Sequence, residues 1–315
     1  MLTSLSPVDS PLGVPVGFGV GTGVTRVSAV RDDALWAEHA GFSSIWVSQI
    51  LGIDPIVAVA AVATDAPGLT GFGTSVVPLA GRHPLALAAQ ARTAQDATDG
   101  RFTLGVGPSH AMVTEGFYGE SYDRAFSRTK EFLEALVPLL HGEACDVTGE
   151  QLEAHGWLTI EADPVPLLLA ALGPRMLDLA GRMADGTTVG SCGPTTISRY
   201  IAPVIRAAAD SAGRPTPRIQ AMVSVAVTDD PGRIRAESEA ADQLYASLPS
   251  YRRVLDLEGV ATGADLVLAG SVDQIADGLA GYVEAGATEL RITVATSDPV
   301  AVDATRVGLS GLLSG

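Results

Sequence analysis

LTGFGTSVVPLAGRHPLALAAQARTAQDATDGRFTLGVGPSH, residues 69–110, reads as strand, loop, helix, strand and the start of a second loop. Pro84 supplies a fixed first-turn dihedral, Leu85, Leu87, Ala88, Ala91 and Ala94 keep a helical stripe, and Gly100 closes the far end. On either side, 72–77 and 102–106 are short apolar runs with β-branched or aromatic residues, the pattern of buried parallel strands. A strand, crossover helix and parallel strand form a right-handed unit. The loops at 78–83 and 107–110 therefore emerge on the same carboxyl-end edge, where α/β sheets place their ligands.

The same alternation runs through the chain. Strand-like segments fall at 15–20, 44–48, 69–77, 102–106, 165–171, 187–190, 219–227 and 289–294. Helix-like segments fall at 27–40, 55–64, 84–97, 124–140, 174–184, 196–212, 231–248, 272–285 and 299–313. Eight strands separated by helices give a (β/α)8 barrel, an α/β fold, with residues 14–315 as one domain and residues 1–13 as a flexible amino-terminal arm. The long connections at 107–123, 142–164 and 249–269 mark insertions after the fourth and seventh strands. The second of them, with short apolar stretches split by glycine, suggests a hairpin, and the first is expected to wall a substrate pocket.

Composition narrows the function. A net charge of −16 disfavours nucleic acid and anionic membranes, which require a positive footprint. No apolar run approaches the roughly 20 residues of a membrane helix. Two cysteines, Cys145 and Cys192, and the lack of a leader pattern predict a cytoplasmic protein. Lys130 is the only lysine and lies in a helical pattern rather than at a strand end, so Schiff-base chemistry is disfavoured. The five histidines form no HxH or HxxxH pair, which predicts no metal site, and no GxSxG elbow is present.

Two glycine motifs bear on phosphate binding. Gly17, Gly19, Gly21 and Gly23 do not fit the dinucleotide fingerprint, because the sixth position is not glycine. They read as a glycine-lined strand exit approaching a flat ligand, or as a flexible turn. In ALGPRMLDLAG (171–181), Pro174 begins a helix and Arg175 stands in its first turn. A cation disfavours that end of the helix dipole unless a phosphate sits there too, and a solvated arginine is the alternative. The polar candidates on the carboxyl edge are Gln49, Ser75, His83 and His110, of which His83 reads as helix-start architecture.

The stretches AEHAGFSSIWVSQ, GTSVVPLAGRHPLALAAQARTAQDATDGRFTLGVGPSH and ALGPRMLDLAGRMADGT resemble the luciferase-like monooxygenase superfamily, and within it the oxidoreductases that use the deazaflavin coenzyme F420. The resemblance spans about residues 17–313. It implies a barrel that binds a deazaflavin or flavin at its carboxyl end and assembles as a homodimer, for which the small-residue faces of 56–64 and the third helix offer packing surfaces. Residue by residue, Ser75-Val76 matches the third-strand bulge whose non-proline cis peptide supports the ring, with Val77 and Gly107 alongside. Leu172, Gly173 and Arg175 match the phosphate grip, and Pro108 and Val113 the ring and ribityl contacts.

The departures from the family pattern concern the substrate. Gln49-Ile50 replaces the Asp-His pair of the sugar-phosphate dehydrogenases, His110 replaces their glutamate, and Gly193 their phosphate-binding lysine. Glucose 6-phosphate is therefore disfavoured as substrate. Gln49 and His110 become the catalytic candidates, His110 as proton donor or acceptor, with a structural histidine as the alternative. Met112, Phe117, Tyr118 and Tyr122 form either a lid or a pin for their loop. The resemblance implies hydride transfer between F420 and a small organic substrate; an FMN-dependent monooxygenase and a barrel that has lost catalysis stand as alternatives. The anionic cofactor would require Arg82 and Arg175 to focus positive potential against the overall negative charge.

Overall fold

The computed structural model describes residues 10–314. Most of the expected amino-terminal arm lies outside the described residues, and its end is a turn closed by the Gly13 amide donating to the Ser10 carbonyl at 2.8 Å. Eight parallel strands follow: Val16–Val20, Ser44–Val47, Gly71–Thr74, Phe102–Gly107, Leu167–Ala170, Gly186–Val189, Arg218–Val227 and Glu289–Val294. Each pairs with the next, and the eighth pairs with the first through Val16 opposite Leu290, which closes the barrel. The helices that cover it include Val27–His39, Pro55–Val62, Pro84–Ala97, Pro174–Met183 and Pro299–Ser314.

The insertions fall where the long connections place them. Between the fourth and fifth strands lie a short helix Ala111–Gly116, the helix Ala125–Leu140 and an antiparallel hairpin Cys145–Thr148 with Glu153–Gly156. The six-residue helix has too few turns to leave a periodic stripe in the sequence. After the seventh strand come Pro231–Ala246, Pro249–Glu258 and a short strand Leu268–Gly270 that pairs with the end of the seventh. Among the described residues no helix is long and apolar enough to cross a membrane.

Strand alternation sorts the side chains into two sets. Phe18 points outward to Trp36 and Phe42, with ring centroids 4.8 and 5.5 Å away. Register places Gly17, Ser44, Gly73, Thr103, Gln220, Glu289 and Arg291 on the inner face, around Trp46. A Cβ on Gly17 would lie 2.5 Å from the indole nitrogen of Trp46, and one on Gly73 2.2 Å from its ring carbon. A Cβ on Gly19 would lie 2.5 Å from Thr293. The reading of this glycine run as a ligand-approach surface is thus corrected for its first two members: they are small because the lumen is filled by a tryptophan and a threonine.

The third strand is interrupted. The apolar run over 69–77 stops at Thr74 and resumes as Val77–Pro78, with a cis peptide between Ser75 and Val76 where the resemblance implies one.

Candidate active site

The carboxyl ends of the strands enclose a cavity of about 810 Å³, lined by Gly21, Ser48, Cys192, Met222, Asp242 and Arg291 among others. Its floor is a column of polar side chains through the lumen. Ser48 donates to the Ser75 carbonyl, and Arg291 Nη1 donates to that carbonyl and to Ser48 Oγ, each at 3.1 Å. Ser75 Oγ lies 3.2 Å from Thr188 Oγ1, which donates to Gln220 Oε1 at 2.8 Å. Gln220 Nε2 donates to Glu289 Oε1 at 3.0 Å, and Arg218 Nη2 pairs with Glu289 Oε2 at 2.6 Å. The segment 75–76 is therefore tied from below by four strands.

Val76 is half-buried, its methyl groups beside Gly105 and Gly107 of the fourth strand, whereas the Val77 side chain is fully buried. A Cβ on Gly105 would fall 2.0 Å from the Thr74 carbonyl oxygen, and one on Gly107 3.1 Å from Val76 Cγ2. Both glycines admit the interrupted third strand against the fourth. Pro108 is partly exposed at the rim, and Val113 is buried inside the short helix.

The second expected patch lies at the end of the fifth strand, on the same side of the barrel. Gly173 precedes the helix Pro174–Met183, no side chain caps that helix, and the space around Gly173 Cα is open. Arg175 is exposed, with its guanidinium 3.9 Å from the Phe126 ring centroid and no ion pair among the described residues. The Leu172 carbonyl accepts from the Tyr200 hydroxyl at 3.0 Å. Tyr200 sits in a π-helical turn, Ile197–Ile201, a distortion frequent at functional sites. Free backbone N–H groups at a helix start beside an unpaired guanidinium suit a phosphate group.

His110 stands at the start of the short helix Ala111–Gly116, its ring edge-on to Tyr245 at 5.5 Å and tilted to Tyr251 at 5.7 Å. Tyr245 and Tyr251 are 5.2 Å apart, so the insertions after the fourth and seventh strands meet in a three-ring cluster across the mouth. Burial pushes the His110 pKa below its ordinary value and raises those of Tyr245 and Tyr251. The imidazole is thus neutral near pH 7, and its nitrogens have no hydrogen-bond partner among the described residues.

Other expectations sort by partner. The amide of Gln49 donates to the Val76 carbonyl at 3.2 Å, and its side-chain oxygen accepts from Arg82 at 2.9 Å. Arg82 also pairs with Asp54 at 2.8 Å and donates to Gln90 at 2.7 Å. Its charge is neutralised within the fold, which corrects the expectation that Arg82 focuses positive potential at the mouth. His83 caps the third helix, accepting from the Leu85 amide at 3.3 Å. Tyr122 donates to the Ser109 carbonyl at 3.0 Å, and Tyr118 packs on Gly81. These two residues pin the loop, whereas Met112 and Phe117 are exposed. No metal-binding cluster occurs among the described residues.

Arg291, Ser48, Tyr245 and Tyr251 went unnoticed in the sequence. A signal existed for the first: Glu289 and Arg291 are charges at alternating positions of an otherwise apolar strand.

Comparison with known proteins agrees with the fold. The 5,10-methylenetetrahydromethanopterin reductase of Methanolobus tindarius is 24% identical over 238 residues, 75% of this chain and 72% of that protein. An F420-dependent glucose-6-phosphate dehydrogenase of Beutenbergia cavernae is 28% identical over 284 residues, 81% of this chain and 83% of that one. Among solved structures, an F420-dependent secondary alcohol dehydrogenase in complex with an F420-acetone adduct superposes with a TM-score of 0.82 at 18% identity, covering 96% of this chain and 98% of that one. An EDTA monooxygenase from Chelativorans sp. superposes with a TM-score of 0.77 at 17% identity, over 96% and 93%. The profile of the luciferase-like monooxygenases matches residues 14–289, and the chain belongs to that family.

Proposed function

We propose that this protein is an F420-dependent oxidoreductase that moves a hydride between the deazaflavin and a small, unphosphorylated organic substrate bound under the aromatic cluster. The observation that carries the reading is the alignment of two patches on one rim: a tied-down ledge at Ser75-Val76 and an uncapped helix start at Gly173 beside Arg175. When bound, F420 accepts or donates the hydride.

The chain's own residues do the rest. Val76 and the backbone around it support the flat ring, with Pro108 at the rim beside it. Leu172, Gly173 and Arg175 orient the phosphate. His110, neutral and without a partner, takes the proton released when an alcohol is oxidised and returns it in the reverse direction. Gln49, held by Arg82, positions the second strand's exit rather than exchanging protons.

The surroundings of Gly193 support an unphosphorylated substrate. A Cβ there would lie 2.4 Å from the Glu258 carboxyl carbon, and that carboxylate accepts from the Thr195 and Thr196 amides at 3.2 and 2.6 Å. A negative group therefore occupies the neighbourhood where the family pattern has a lysine.

Equilibrium titration of the purified protein with F420 and with FMN tests the reading. Saturable one-to-one binding of F420, tighter than FMN, supports it; preference for FMN favours a flavin monooxygenase instead. We also assign a homodimer, for which Ile50, Leu51 and Val57 offer exposed apolar side chains beside the second helix. A monomer mass by light scattering at micromolar concentration would refute that assignment.

A further inference from the structure

Asp242 is a carboxylate on the wall of the mouth cavity that no other side chain of the fold pairs. It sits half-buried in the helix Pro231–Ala246, within the insertion after the seventh strand. It has no hydrogen-bond or ion-pair partner among the described residues, and burial is what raises its pKa. The other carboxylate lining the cavity, Glu237, is engaged by Arg233 and by the Thr296 hydroxyl, the latter at 3.0 Å. Arg291, the cation of the same cavity, is held on the floor by Ser48 and the Ser75 carbonyl and has Glu289 two positions along its own strand.

Beside Asp242 is a notch that a glycine keeps open. A Cβ on Gly263 would stand 3.1 Å from Asp242 Oδ2 and 3.2 Å from Ser191 Oγ, so both oxygens converge on a point that any side chain there would fill. The Gly263 backbone lies outside the left-handed region, so the space, not the conformation, calls for glycine. Ser191, in the loop after the sixth strand, lines the same cavity, and its hydroxyl has no hydrogen-bond partner among the described residues. A charged acceptor beside a neutral one suits a primary ammonium, a compact charge with three N–H donors. The net charge of −16 draws cations towards the mouth in the same sense.

We propose that the organic substrate carries a primary ammonium group, which Asp242 and Ser191 receive in the notch at Gly263. The inference deepens the F420 reading and rests on it for the orientation of the substrate. In the ring of eight strands the seventh, whose insertion carries Asp242, stands opposite the third, which carries the ledge at Ser75-Val76. Asp242 and Tyr245 are three positions apart on one helix face, and Tyr245 packs on His110. An ammonium held at Asp242 therefore leaves the rest of the substrate to span the cavity, its reacting carbon towards the ledge and its hydroxyl towards His110.

Calorimetric titration with cyclohexylamine, an ammonium at neutral pH, and with its neutral counterpart cyclohexanol tests the inference. The titrations use F420-loaded and cofactor-free protein, in wild type, D242N, D242S, G263A and D303N. Wild type should bind the ammonium at least about tenfold more tightly than the alcohol. D242N should lose that preference with affinity for cyclohexanol within about threefold of wild type, and D242S repeats the loss of charge should the amide variant not fold. G263A, which fills the notch but keeps the charge, should weaken the ammonium alone. D303N removes one negative charge from the exposed face of the last helix and should leave the preference intact. No binding of the ammonium, equal affinity for the two probes in wild type, or a preference unchanged in D242N and D242S overturns the inference; so does an equal loss in D303N, which would assign the preference to the overall charge. Failure of wild type to bind F420 overturns the F420 reading and the orientation built on it, while the titrations of cofactor-free protein decide the ammonium site separately.

Discussion

The two ends of the barrel treat charge in opposite ways. The amino end also holds a cavity, about 530 Å³, lined by Trp46, Arg101, Arg218 and Glu289. There the carboxylates are matched: Arg218 and Gln220 satisfy both oxygens of Glu289 and Arg214 pairs with Asp185 at 3.2 Å, while Arg101 has no ion pair among the described residues and donates to the Leu69 carbonyl at 2.7 Å. At the carboxyl end Arg291 and Arg175 lack ion pairs, and His110 and Asp242 lack hydrogen-bond partners among the described residues. Burial lowers the pKa of His110 and raises that of Asp242. Cavity size does not separate the two ends, but titratable side chains without a hydrogen-bond partner, His110 and Asp242, do, and perturbed, unpartnered groups mark a site built to meet something else.

The sharpest break in this contrast is His110→Ala. If the carboxyl end does the chemistry, kcat should fall by about 10²–10⁴-fold while affinity for F420 stays within about threefold. Steady-state kinetics together with a binding titration separates the two. Glu289→Ala should have its large effect on stability instead. It leaves Arg218 and Gln220 without their acceptor, and denaturant unfolding should report a loss of about 3–5 kcal/mol.

Arg175→Ala should weaken F420 binding roughly ten- to a hundredfold through the lost charge-assisted hydrogen bonds, with unfolding unchanged, since its guanidinium only stacks on Phe126. The smallest effect is the pH profile. Because burial lowers the His110 pKa, the neutral base is present across neutral pH. Alcohol-oxidation kcat should therefore rise with pH to a plateau whose midpoint lies below about 6.5, and His110→Ala should remove that limb. The same shift means that the unfolded chain takes up this proton more readily, so stability should decline as pH falls below about 6.5.

Most of the barrel was legible because it rests on periodicities that local sequence carries. The alternation of apolar runs with helical stripes located all eight strands, and proline at the first turn located the helices at 84 and 174. The interruption after Thr74 escaped periodicity because it is a backbone event at one peptide; only the family resemblance pointed to Ser75-Val76. The inner face was half legible. The glycine run 17–23 is conspicuous, but Gly17 is small because of Trp46 and Gly19 because of Thr293, both distant in sequence, and no local pattern connects them. The aromatic cluster was illegible for the same reason: His110 and Tyr245 are 135 positions apart, and only the closed ring of strands brings their insertions together.

The most direct test of the account is a crystal structure of the protein grown with F420. The account requires ring density against Ser75-Val76 above the Arg291 floor, with the phosphate at the Gly173 amide beside Arg175. Density in the amino-end cavity, or a ring turned away from Val76 with Arg175 still stacked on Phe126 and unengaged, would contradict it.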